Sequence, residues 1–179
     1  MKKFCVFCGK KPSPKTDEHI IPKWLISLTG NPKRDCHITY FSPDPEIVDR
    51  AIPFDQLVFP ACSKCNEHYS NLENQTKQIV LRILNDDGLS FSDLNIFLTW
   101  LDKIRVGLWF SQIYLGKNLL GINPHFYINN RIGKKDRLLY IYKTDFSGGR
   151  INFAGVNTPA FQLIPSCFGF AINNYFFIN

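Results

Sequence analysis

The sequence predicts an α+β fold: a metal-stapled N-terminal module, then helices, then a mostly antiparallel β region. Three observations predict it. Two Cys-x-x-Cys pairs, Cys5/Cys8 and Cys62/Cys65, stand either side of a 53-residue stretch. From Asn66 to Leu115 apolar residues recur at helical spacing. After residue 120 the spacing shortens to that of strands and aromatic residues take over.

The elements follow in order. "FCVFCG" (residues 4–9) reads as a short strand running into a cysteine-bearing knuckle that turns at Gly9. Residues 10–17 are a polar loop. "IIPKWLISL" begins a helix with Pro22 in its first turn, and Gly30-Asn31-Pro32 stops it. Residues 31–56 carry Pro32, Pro43, Pro45 and Pro53 and read as irregular. "LVFPA" (57–61) leads into the second cysteine pair, and a helix runs from Asn66 to about Asn85 with Leu72, Ile79, Val80, Ile83 and Leu84 on one face. Ser92 and Asp93 can cap a second helix from about Leu94 to Leu115. Its apolar stripe is Leu98, Leu101, Ile104, Leu108 and Ile113, with Asp102, Lys103 and Arg105 elsewhere. "HFYIN", "RLLYIYKT" and "RINFAG" read as strands, with "DFSGG" turning between the last two. The apolar tail ending in "YFFIN" suits a buried last strand or a strand that completes a partner's sheet. The division falls near residue 85: residues 1–85 form the metal-bearing module and 86–179 a helix plus β-strand accessory or specificity region.

Composition narrows the classes. The 179 residues hold one or two domains, and 45% hydrophobic with 20% charged residues fits a globular protein. No apolar run reaches membrane-spanning length, and the N-terminus lacks a signal-peptide apolar region, so a cytoplasmic protein without membrane contact is expected. The net charge of +6 is uneven: residues 1–34 hold eight Lys/Arg against two acids, and residues 131–150 hold six against two. Such clusters suit a polyanionic partner, nucleic acid above all, with Lys10, Lys11, Lys15, Lys23 and Lys77 as candidate contacts.

In a reducing compartment six cysteines point to metal before disulfides. Each Cys-x-x-Cys knuckle turns two thiolates the same way, and Cys5, Cys8, Cys62 and Cys65 together make a tetrahedral set suited to structural zinc. Cys36 and Cys167 have no such partner and read as free thiols. A redox dithiol needs only one pair and a βαβ setting, which the pattern does not offer.

Between the pairs lies Glu18-His19-Ile20-Ile21-Pro22, and Asn66 follows Cys65 directly. A cysteine pair, an acidic-His-apolar-apolar-Pro segment, a second pair and an Asn, in that order, resemble the HNH endonucleases, or ββα-metal nucleases, in their zinc-bearing form. The likeness covers residues 4–77. It implies a hairpin, a zinc and a helix packed across it, so that residues 1–85 are a zinc-bearing ββα-metal (HNH) module. It further implies His19 as general base, with a catalytic Mg or Mn ion held by Glu18 and Asn66. The substrate would be nucleic acid, DNA first, with a role in restriction or phage defence. The residue types suit the chemistry. A neutral His takes a proton from water near pH 7, and a hard cation on oxygen ligands neutralises the phosphate.

Helix spacing adds Glu73 and Lys77 to the face of Asn66, while His68 falls about 200° around. Glu73 is therefore the better extra ligand. Family members commonly carry an Asn before the second cysteine pair to orient the base. Here "FDQLVFPACSKC" offers only Asp55 or Gln56, which leaves open a non-catalytic, zinc-stabilised nucleic-acid-binding or interaction module. His37 and His125 lack motif context. Trp24 is expected under the hairpin, and Trp100 and Trp109 in the core. A homodimer or partner subunit through the apolar C-terminal region is also expected.

Overall fold

The computed structural model describes residues 4–40, 48–115, 118, 121–124, 126–131 and 137–179. Lys2, Lys3, His125, Lys134 and Lys135 lie outside them. The architecture is α+β, with two small strand pairs in the N-terminal half and a four-stranded antiparallel sheet at the C-terminal end.

Strand β1 (Lys15–His19) pairs antiparallel with β4 (Val58–Cys62), so that Lys15 stands opposite Cys62 and His19 opposite Val58. Before β1, residues 4–9 form a turn and no strand. Gly9 N–H donates to the Cys5 carbonyl at 2.8 Å and Cys5 N–H to the Lys10 carbonyl at 2.8 Å, curling the segment tightly. After β1, Pro22 stands at the N-cap of α1 (Lys23–Leu28), and Thr29 closes it by donating its hydroxyl to the Leu25 carbonyl.

The stretch 31–56, expected to be irregular, contains a second antiparallel pair, β2 (Asp35–Tyr40) with β3 (Val48–Pro53). Cys36 and Ile38 are buried and Asp35 and His37 exposed, the period-two signature of a half-buried strand. The prolines hid it: Pro32 lies ahead of β2, Pro53 closes β3, and Pro43 and Pro45 fall outside the described residues. A short 3-10 turn, Phe54–Gln56, then leads into β4.

The helix expected from Asn66 is two helices, α2 (Ser63–His68) and α3 (Ser70–Leu84), jointed at Tyr69. The next helix, α4 (Phe91–Leu115), begins three residues before the expected Leu94, so that Ser92 and Asp93 lie inside it. Ser90 and Asp93 bond reciprocally: Ser90 Oγ accepts from Asp93 N–H at 3.1 Å, and the Asp93 carboxylate accepts from Ser90 N–H at 2.8 Å. Every residue of α4 from Trp100 to Ile113 is buried, so the helix has no solvent face there. Its charges are paired inside: Arg105 bonds Asp102 at 2.6 Å and the Asn179 side chain at 2.5 Å.

The segment expected as a strand at 125–129 is in part the short helix α5 (Ile128–Arg131). β5 (Tyr140–Lys143) and β6 (Ile151–Ala154) occupy opposite edges of the C-terminal sheet and are not a hairpin. After α6 (Pro159–Leu163), β7 (Gly169–Ile172) and β8 (Tyr175–Ile178) take the centre, giving the order β5-β8-β7-β6. The reason is hydrophobic: all of β7 is buried, and Tyr175 and Phe177 of β8 are buried too. The apolar tail that suggested a partner's sheet therefore fills this chain's own. The sheet packs on α4 through Phe97 against Phe177, centroids 4.9 Å apart, and Trp100 against Phe170 at 6.0 Å. The buried apolar cluster is continuous from Cys5 to Phe177. No helix among the described residues is long and apolar enough to cross a membrane.

Candidate functional site

The four expected sulfurs converge. Cys5, Cys8, Cys62 and Cys65 lie within 4.8 Å of one another, and among the described residues no other group of three or more His, Cys, Asp or Glu side chains could hold a metal. A tetrahedral zinc with bonds of about 2.3 Å separates its sulfurs by about 3.8 Å, so the set fits such an ion after a small contraction. The first pair sits on the Cys5–Gly9 turn, which Val6 N–H fastens to the Pro60 carbonyl of β4. Cys62 ends β4 and Cys65 lies in the first turn of α2.

The thiols differ in how readily they ionise. Burial opposes a Cys5 thiolate, yet the backbone N–H groups of Cys62, Cys8 and Phe7 hold its pKa below the ordinary thiol value. Cys65 is pushed up to about 12, by burial first and by Cys5 and Cys8 next. Four thiolates this close repel one another, and a divalent cation removes that conflict. Cys36 is buried and Cys167 exposed; both are free.

Gly9 is required where it stands. Its φ is +74°, and a Cβ there would sit 2.3 Å from Tyr127 Cε2. Gly9→Ala is expected to cost about 1–3 kcal/mol, as overpacking does, and a lowered thermal midpoint of the zinc-loaded protein would register it.

His19 lies at the opposite end of β1 from the cysteines. It is four residues from Lys15, which pairs with Cys62, or about 13 Å at the usual rise per residue. It is half-buried and lines a cleft of about 440 Å³ with Asp17, Lys23, Ser27 and Asp55. Nε2–H donates to the Asp55 backbone carbonyl at 3.2 Å. A carbonyl only accepts, so this bond puts the proton on Nε2 and leaves Nδ1 as an acceptor. Asp55 thus fixes the ring through its main chain, and one buried oxygen of its carboxylate has no partner among the described residues. Burial and then the Lys23 charge push the His19 pKa below its ordinary value. The hydrogen bond to the Asp55 carbonyl, and then the Asp55 and Asp17 carboxylates, offset them only in part.

Glu18 points the other way. Alternation along β1 buries Glu18 and leaves Asp17 and His19 on the opposite face. Its carboxylate meets Lys103 Nζ of α4 at 2.5 Å, and the same ammonium reaches Glu73 of α3 at 2.6 Å. Glu73 also accepts from Trp100 Nε1 at 3.2 Å and from Trp24 Nε1 at 3.0 Å. The two carboxylates expected as ligands for Mg or Mn thus share one ammonium. Both oxygens of Glu73 and one of Glu18 are already taken by N–H donors, so the carboxylates face an ammonium and not an open coordination position. Asn66 sits half-buried in α2 and is not among the residues lining the His19 cleft. As they stand, Glu18 and Glu73 do not fit a second, oxygen-bound divalent ion.

The candidate nucleic-acid contacts Lys10, Lys11, Lys15, Lys23 and Lys77 are all exposed; Lys15 leans on Asp17 at 3.5 Å, and Lys23 shares the cleft with His19. His68 is exposed and packs edge-on against Tyr69, and His37 bonds Asp49 across the β2–β3 pair. Trp24 is tilted against Trp100, and both Trp100 and Trp109 are fully buried. Sequence reasoning missed Lys103 and the Asp55 carbonyl. Compared with known proteins, the chain matches no family model, no curated protein and no solved structure.

Proposed function

We propose that this chain is an endonuclease of the HNH, or ββα-metal, kind, hydrolysing phosphodiester bonds in nucleic acid, DNA first. His19 is the general base, and the four-cysteine ion is structural zinc. One observation carries the reading. The Asp55 carbonyl holds Nε2–H and leaves Nδ1 as the proton acceptor of a ring that lines an open cleft with a lysine. The antiparallel β1–β4 pair running directly into α2 supports it, as does the cysteine frame at the far end of the pair.

The chemistry runs on the chain's own groups. A water in the cleft gives its proton to Nδ1 as its oxygen attacks phosphorus. The bond to the leaving oxygen breaks, and that oxygen takes a proton from solvent. Lys23 neutralises phosphate charge beside the base, and the net charge of +6 draws the polyanion in. The four cysteines, at the other end of the β1–β4 pair from His19, would hold a zinc that staples the strand pair outside the step.

A second reading, a zinc-stabilised binding module without catalysis, is favoured by the hold of Lys103 on Glu18 and Glu73. A pH profile on bis(p-nitrophenyl) phosphate and on a labelled duplex separates the two. The base must be neutral, so the rate is expected to be full above the ordinary histidine pKa of 6.5 and to fall on acidification through the lowered value. His19→Ala is expected to lose about 10²–10⁴ of the rate while retaining its zinc. A flat profile, or equal rates for the two proteins, would transfer the assignment to the binding module.

A further inference from the structure

We propose that Lys103 is a built-in cation, occupying between Glu18 and Glu73 the place a divalent ion would need, and that it positions the His19 strand through Glu18. Three observations lead there. Lys103 is 3% exposed, and its ammonium lies 2.5 Å from Glu18 and 2.6 Å from Glu73. An ion bridging the same oxygens at about 2.0–2.6 Å would overlap it, so ammonium and ion exclude each other. The other donors to Glu73 are the indoles of Trp24 and Trp100. They are donors only, so turning Glu73 toward a metal would strand two N–H groups. Finally, the ammonium already offsets one of the two carboxylate charges. Burial would lower the Lys103 pKa, but Glu73 and Glu18 outweigh it and raise it, so the ammonium stays charged.

The connectivity gives this a consequence. Glu18 and His19 are neighbours on β1 with opposite faces, so anchoring Glu18 inward sets where His19 stands relative to the Asp55 carbonyl. The anchor comes from α4, in the half of the chain after residue 85. That half is therefore part of the site's framework: it supplies the cation. The link to cleavage rests on the nuclease reading; the cation exchange does not, and it is measured without any cleavage.

The test uses zinc-loaded wild-type, Lys103→Met, Glu18→Gln and Lys103→Met/Glu18→Gln proteins. Terbium luminescence is excited through tryptophan, since Trp24 and Trp100 both touch Glu73. Thermal melts are run with and without Mn. Wild type is expected to show no saturable terbium emission and no Mn-dependent shift. Lys103→Met is expected to gain one saturable terbium per chain and a midpoint that rises with Mn, and the double variant to lose both. Mn is also expected to restore cleavage to Lys103→Met and not to the double variant, a rescue that a merely structural lysine would not give. A saturable ion in wild type that Glu18→Gln removes would overturn the proposal, as would a folded Lys103→Met that binds none. Should Lys103→Met not fold even with Mn, the wild-type and Glu18→Gln titrations decide: an ion lost in Glu18→Gln refutes the built-in cation, and no ion in either upholds it.

Discussion

Stripping the four-cysteine site of zinc is expected to unfold the N-terminal half of the protein. Structural zinc contributes about 10–16 kcal/mol in small zinc modules, against a total stability of about 5–15 kcal/mol for a whole domain. The site joins the Cys5–Gly9 turn to the junction of β4 with α2, which are otherwise held by the Val6–Pro60 backbone hydrogen bond and the stacking of Phe7 on Tyr69. Without the ion, crowded thiols that resist joint ionisation replace four metal bonds. Limited proteolysis after chelation is expected to cut within residues 4–68 while α4 and the sheet of β5–β8 stay protected, because Phe97, Trp100, Phe170 and Phe177 pack without the metal. Cys62→Ser is expected to give the same pattern. Unchanged proteolysis and circular dichroism with zinc gone would show that the fold does not depend on it.

Lys103→Met is expected to cost about 3–5 kcal/mol, the usual price of breaking a buried pair from one side. The cost arises from what is left behind: Glu18 and Glu73 would face each other with no cation, and Glu18 already resists ionisation through burial. Denaturant midpoints of the zinc-loaded proteins measure it. The double variant Lys103→Met/Glu18→Gln is expected to regain part of the loss, since it removes one of the stranded charges, and a double-mutant cycle isolates the coupling. The sign with pH follows. Lys103 has a raised pKa in the fold, so its contribution is complete below its ordinary value of 10.5 and is lost as pH climbs through the raised value. Wild type is expected to lose stability on that alkaline limb, and Lys103→Met is not. A cost below 1 kcal/mol would mean the three groups are not coupled as drawn.

The residues differ in how openly they announce their roles. The four cysteines were legible because thiols two residues apart have few other uses in such a pattern. His19 drew attention through the letters around it. Asp55 was one of two residues the sequence offered to restrain it, but that the restraint comes through a backbone carbonyl was not legible, because any residue type supplies one. Lys103 was hidden more deeply. Within α4 the run Asp102-Lys103-Ile104-Arg105 looks like a polar face, and only the covering of the helix on every side turns those charges inward. Its partner Glu18 is 85 residues away, a separation no local period reports. The strand pair β2–β3 was masked by its prolines, although Cys36 and Ile38 alternate as a strand requires. The order of the C-terminal sheet was equally closed to local reading. "RLLYIYKT" and "RINFAG" follow each other in sequence, yet the more apolar β7 and β8 displace them to the edges.

If His19 is the base of a phosphodiester-cleaving site, its loss must abolish nicking of supercoiled plasmid. Wild-type and His19→Ala proteins, purified identically with one zinc per chain, are compared with and without added Mg or Mn. Wild type is expected to nick the plasmid, and His19→Ala to lose the activity by about 10²–10⁴ in rate. Nicking that survives in His19→Ala, or its absence from zinc-loaded wild type under every condition, would contradict the account.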